Sequence, residues 1–211
     1  MASNARWGGM LLAAGMLCAA SAAQAVDLPA CTDPDAPAWY LGDVDSLDPS
    51  DEAGMVDPVA WGYAGALRGS KEPSFRCGTP PAEAYRFVWE PPFSPGIALR
   101  AQRDAAGHMW MTSRSIPELS APGYPKKPAW PCAADRELTA TEWASVVDAF
   151  DGLQPDVPAR FGLDGEGWYF ESLRQGRQHW VYRWQPKALS LRQAGRAMLR
   201  LAGCDAPPVR D

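Results

Sequence analysis

The sequence predicts a single α+β domain: an antiparallel sheet of about five strands covered by two helices, with an extended N-terminal arm. Three observations predict it. Tyr85, Phe87 and Trp89 alternate with Arg86, Val88 and Glu90, the period of a half-buried strand. A complete helix-start signature follows around Thr139, and a second strand pair and a second capped helix come after it. The resulting order of strands, helix, strands, helix places helices on one face of an antiparallel sheet. A chain of 211 residues fits one such domain, assigned here to residues 82–211.

Residues 1–25 have the pattern of a secretory signal peptide. Arg6 supplies the positive start, residues 10–20 are apolar, and Ala23-Gln24-Ala25 is an A-x-A cleavage site. The apolar stretch is shorter than the roughly 20 residues a membrane-spanning helix needs. Cys18 as a lipid-attachment site is disfavoured by the bulky Met16-Leu17 before it. Cleaved export to the periplasm or medium is the expectation, with no transmembrane segment left in the mature chain.

Residues 26–81 read as an acidic, proline-rich arm. Between 26 and 66 there are nine acids and no base, and residues 67–211 then hold 19 bases against 16 acids. No sustained period appears, so the arm is expected to be extended and anchored by its aromatic residues. With a sequence pI near 5.1, no general affinity for nucleic acid is expected.

From residue 82 onward the elements follow in order. The prolines from Pro91 to Pro95 end the first strand. Residues 97–103 and 108–113 flank the turn-rich Asp104-Ala105-Ala106-Gly107 and form a hairpin. A proline-rich loop spans residues 114–136. Thr139 and Glu142 then make a capping box, with Trp143, Val146, Val147 and Phe150 as the buried stripe and Gly152 at the C-terminal turn. Strands at 168–172 and 178–184 follow. The final helix is expected to start from Ser190 and Gln193 and to end at Gly203. Its Arg192, Arg196 and Arg200 form a basic stripe, read as a solvated helix face or, alternatively, as the surface on which the acidic 26–66 arm docks.

In the last hairpin Trp168 and Phe170 are expected to share a buried face with Trp180, Tyr182 and Trp184. Arg174-Gln175-Gly176 suits a three-residue loop, which sets Trp168 opposite Tyr182 and Phe170 opposite Trp180. Glu171 then faces His179 on the wet side as a pH-sensitive pair.

Cleavage would leave four cysteines: Cys31, Cys77, Cys132 and Cys204. An even count in an exported chain reads as two disulfides, with three pairings open and Cys31–Cys77 with Cys132–Cys204 preferred. Zinc is disfavoured because no C-x-x-C occurs and only His108 and His179 are available.

The run Gly162-Leu163-Asp164-Gly165, Trp168, Glu171, His179, Arg183-Trp184, Pro186 and Leu199-Arg200-Leu201-Ala202-Gly203 resembles small uncharacterised exported proteins of Gram-negative bacteria. The resemblance covers about residues 136–204. It implies an envelope or secreted location and the α+β arrangement, and it implies no reaction.

No nucleophile elbow, zincin helix or phosphate loop is present. Gly162, Gly165 and Gly167 precede a strand and read as a turn. The acids from Asp43 to Glu52 fail the EF-hand template at Leu47 and Gly54. No metal and no cofactor is expected. Asp164, Glu171 and His179 are the nearest approach to an acid–base cluster, read chiefly as a structural cross-strand arrangement. Trp39, Trp61 and Trp130 lie on segments read as irregular, and are the aromatic binding candidates.

The leading expectation is an exported, disulfide-braced binding or inhibitor-like module without catalytic activity, acting on an envelope or extracellular protein or glycan. The alternatives are an envelope hydrolase using carboxylates around Asp164 and Glu171, and a structural envelope protein.

Overall fold

A computed structural model describes residues 56–76, 81–119, 123, 132, 135–153 and 165–204. Their centre is a six-stranded sheet of β1 (Glu83–Glu90), β2 (Gly96–Arg103), β3 (Met109–Ile116), β4 (Arg136–Glu137), β5 (Gly167–Arg174) and β6 (Arg177–Trp184). The strand order is β4-β3-β2-β1-β5-β6, and every neighbouring pair is antiparallel. Among the described residues three helices accompany it: α1 (Val56–Gly69), α2 (Ala140–Asp151) and α3 (Leu189–Leu201). The α+β class is as expected, with one more strand and one more helix among the described residues.

α2 and α3 cover one face. Trp143, Val146 and Phe150 of α2, with Leu191, Ala194 and Met198 of α3, pack on Tyr85, Phe87, Leu99, Trp168 and Phe170. The capping box of α2 forms in full. Glu142 N–H donates to Thr139 Oγ1 at 3.2 Å, and Thr139 N–H donates to Glu142 Oε2 at 2.8 Å.

α3 ends in a Schellman motif. Gly203 takes φ +61°, Cys204 N–H reaches Leu199 O, and Gly203 N–H reaches Arg200 O, each at 3.0 Å. Its start differs from expectation. The helix begins at Leu189 with Ala188 at the N-cap and no side-chain cap, so Ser190 lies one residue inside. Arg136 also donates to Leu201 O, at 3.2 and 2.9 Å, and Cys132 is disulfide-bonded to Cys204. The segment before α2 is thereby fastened to the end of α3.

α1 covers the other face, a departure from the expected arm. Tyr63, Ala64, Ala66 and Leu67 bury against Val88, Ala98, Ile116, Tyr169 and Tyr182. Pro58 is tolerated because the first-turn N–H groups of a helix have no intrahelical partner. Two corrections follow from this second layer. β1 is buried along both faces and is not half-buried. The helices also lie on both sides of the sheet. The acids of residues 26–55 lie outside the described residues, and so does any docking of them on α3.

The β5–β6 register is corrected as well. Trp168 faces Arg183, Phe170 faces Val181, Glu171 faces Trp180, and Ser172 faces His179. Only Gln175 and Gly176 separate the strands. Both have positive φ, +52° and +72°, which makes a two-residue turn of type I′. Trp168 and Phe170 therefore bury under α2 and α3, whereas Tyr182 buries under α1. With a helix on each face, the two apolar sets have no need to share one.

Candidate functional site

Two assemblies of polar side chains stand out, and they lie on opposite faces of the sheet.

The first is sealed beneath α1 and the chain leaving it. Arg86 on β1 is directly opposite Glu171 on β5, and its Nη1 donates to Glu171 Oε2 at 2.6 Å. Gln178 Nε2 donates to the other carboxylate oxygen at 2.5 Å. Arg86 Nη2 donates to Pro73 O, and its guanidinium carbon lies 4.1 Å from the centre of the Phe75 ring. Arg86 Nε stands 3.7 Å from Glu72 Oε2, which also accepts from Arg100 Nε at 3.1 Å. Burial raises the Glu171 pKa, with Arg86 and Gln178 opposing it. Burial likewise raises Tyr169, helped by the Glu171 carboxylate.

The expectation that Glu171 points to water is therefore overturned, because it is 1% exposed. So is the Glu171–His179 pair, since alternate strand residues point to opposite faces and these two fall on different ones. The carboxylate is enclosed between an arginine and an amide of the sheet, and Arg86 fastens the chain after α1 through Pro73 O, the Phe75 ring and Glu72.

The second assembly is open. A groove of about 630 Å3 lies between the C-terminal end of α2 and the β5–β6 hairpin. Tyr85, Phe150, Leu153, Phe170 and Val181 supply its apolar wall. Arg174, Arg177 and His179 supply its basic rim, and Asp151 its acid. That volume falls within the range of small-ligand and peptide-side-chain pockets, about 300–1,000 Å3.

The hairpin builds the rim. Arg174 on β5, and Arg177 and His179 on β6, project from the same sheet face. Arg174 is already committed. It pairs with Asp151, and its Nε stands 3.4 Å from Glu83 Oε1. Glu83 also accepts from Tyr85 and Arg103, and burial together with Glu83 raises the Tyr85 pKa. Arg177 and His179 are both exposed and form no side-chain ion pair among the described residues.

Ser172 faces His179 across the strands, but no hydrogen bond joins their side chains, so no nucleophile–base dyad is assembled. Among the described residues, no three His, Cys, Asp or Glu side chains group to hold a metal. Of the other residues singled out in the sequence, Trp39, Trp130, Asp164, Cys31 and Cys77 lie outside the described residues. Trp61 belongs to α1 and not to an irregular segment. Arg177, Phe150 and Leu153 were not anticipated as site residues. The sequence signal for Arg177 is its place just past the Gln175-Gly176 turn, two residues before His179.

No protein-family model, curated protein or solved structure matches this chain. Among the described residues, no helix is long and apolar enough to cross a membrane.

Proposed function

We propose that this protein is an exported, disulfide-braced binding module without catalytic activity, and that a partner protein docks in the groove between α2 and the β5–β6 hairpin. The observation that carries the reading is the groove itself. It joins an apolar wall to two exposed basic side chains, Arg177 and His179, that nothing else among the described residues engages. Recognition surfaces combine a desolvated apolar centre with polar groups at the rim in this way.

Export rests on the signal-peptide pattern of residues 1–25, which puts the mature chain in the periplasm or medium. The Cys132–Cys204 disulfide suits an oxidising compartment. A hydrolase working through Glu171 finds no support in the geometry, because that carboxylate is enclosed and paired with Arg86.

The test is capture of a stoichiometric partner from periplasmic extract by the mature protein. Capture should fail for a His179→Glu/Val181→Glu variant that keeps the wild-type melting temperature. A partner held equally well by that variant places binding elsewhere and overturns the assignment to this groove.

A further inference from the structure

We infer that the groove captures the free C-terminus of a partner polypeptide, holding the terminal carboxylate at its basic rim and an apolar last side chain against its inner wall. The inference rests on the groove reading above and names the chemical group that is recognised.

The hairpin grades the groove from basic to apolar. Counting inward from the Gln175-Gly176 turn, Arg174 is opposite Arg177, Ser172 is opposite His179, and Phe170 is opposite Val181. These residues share one sheet face, on which successive positions along a strand are about 7 Å apart. α2 supplies the facing wall, where Phe150 packs edge-on to Phe170 with ring centres 5.9 Å apart. The apolar wall therefore begins one position inward from Ser172 and His179.

Three donors border that apolar wall. The side chains of Arg177, His179 and Ser172 make no hydrogen bond or ion pair among the described residues. Arg177 and His179 are exposed, and Ser172 is half-buried. A guanidinium, a ring N–H and a hydroxyl match the acceptor-only oxygens of a carboxylate.

Local charge selects an anion. Asp151 is the acid of the α2 wall, and Arg174 already engages it. Glu171 borders the groove, but its carboxylate lies on the other sheet face and is bound by Arg86. That leaves Arg177 without a compensating acid.

The Arg174–Asp151 pair also favours a chain end. It joins the last residue of β5 to the last residue of α2, so it ties the two walls together beside the hairpin tip. A polypeptide running through the groove would have to cross that pair, whereas a C-terminus enters and stops. A terminal residue carries its carboxylate and its side chain on one Cα, which suits a basic site adjoining an apolar one. Capture of a C-terminal carboxylate is a recurring mode of peptide recognition.

The experiment uses the full mature chain and four probes. They are N-acetylated Gly-Ala-Ala-Phe as the free acid, the same peptide as its amide, N-acetylated Gly-Asp-Phe-Ala amide, and hydrocinnamate. Binding is read by NMR from the methyl signals of Leu153 and Val181. The free acid should shift both and bind at least about tenfold tighter than its amide, the scale of a hydrogen-bonded charge. The internal-acid peptide should bind no better than the amide, and hydrocinnamate more weakly than the peptide acid. Arg177→Gln should weaken the free acid about tenfold, leave the amide unchanged and keep the wild-type melting temperature.

Equal affinity for acid and amide overturns carboxylate capture and leaves the groove reading standing. An internal-acid peptide that binds as well as the free acid overturns the chain-end assignment. Tighter binding of hydrocinnamate overturns a polypeptide occupant. Equal loss of acid and amide binding in Arg177→Gln overturns the charge contact. No shift at Leu153 and Val181 with any probe overturns the inference, and partner capture then judges the groove by itself.

Discussion

Arg86 and Glu171 sit directly opposite one another on β1 and β5, joined at 2.6 Å, with no exposed side-chain surface on either residue. Such a pair is costly to desolvate, and is tolerated where its remaining hydrogen-bonding capacity is met. Pro73 O and Gln178 meet part of it here and the Phe75 ring covers the guanidinium, while Arg86 Nε has no hydrogen-bond acceptor and only the Glu72 carboxylate at 3.7 Å. Removing one member leaves the other charge buried without its partner. Arg86→Met should therefore destabilise the fold by about 3–5 kcal/mol in urea denaturation, and Arg86→Met/Glu171→Met should recover a measurable part of that loss. A single variant within about 1 kcal/mol of wild type would show that the pair does not hold the chain after α1 in place.

Acid sensitivity should come from Glu142. Hydrogen bonds from Arg136 and from Thr139 lower its pKa from the ordinary carboxylate value to about 2. The folded state thus binds this proton less readily than the unfolded state, so the contribution to stability is present above pH 4.5 and lost as the pH falls towards 2. Melting temperature should decline over that window, and Glu142→Gln should flatten the decline. An unchanged slope in the variant would assign the acid response to other carboxylates.

Gly195 lets α3 approach the sheet. A Cβ at this position would lie 2.1 Å from the Trp168 ring and 2.9 Å from Phe87. Gly195→Ala gains about 1 kcal/mol of helix propensity. Both aromatic rings are fully buried, however, and overpacking of this kind costs about 1–3 kcal/mol. The net expectation is a less stable protein by equilibrium unfolding. A stabilised variant would mean that the α3 contact is looser than the geometry states.

What the sequence made legible was local. Thr139 and Glu142 are three residues apart and define the start of α2 unaided, and Asp104 to Gly107 marks the β2–β3 turn. α1 was missed because its buried face consists largely of alanine around Tyr63 and Leu67, a weak stripe inside an acidic, proline-rich stretch. That omission carried into the register. With only one covered face in view, Trp168 and Trp180 had to share it, whereas α1 supplies a second apolar surface for Tyr182. The groove was half legible. His179 stood out as one of two histidines, but its nearness to Phe150 and Leu153 depends on packing between elements distant in sequence.

The Cys132–Cys204 disulfide closes a loop across 72 residues and joins the approach to α2 to the end of α3. Chain-entropy reasoning gives a loop of that size roughly 4 kcal/mol of stabilisation. Cys132→Ser/Cys204→Ser should lose stability on that scale, and this pair should contribute no free thiol when the wild-type protein is unfolded without reductant. Thiol titration with mass mapping checks the second point, and a reactive Cys204 in unfolded, unreduced protein would contradict the bond.

The β5–β6 turn offers a change expected to stabilise. Gln175 takes φ +52°, a left-handed conformation that costs an ordinary side chain about 1–2 kcal/mol, and Gly176 follows at +72°. Asparagine tolerates this region better, and Asn-Gly is the favoured pair for a two-residue type I′ turn. Gln175 is exposed at the hairpin tip, so its side chain has little packing to lose. Gln175→Asn should raise stability by about 0.5–1 kcal/mol without altering the register. The three-residue loop predicted from the sequence makes a different demand. There the left-handed residue is Gly176 alone, and Gln175 would be right-handed, where asparagine brings no advantage. A neutral or destabilising result would therefore favour that loop, and with it the alternative register that sets Glu171 opposite His179.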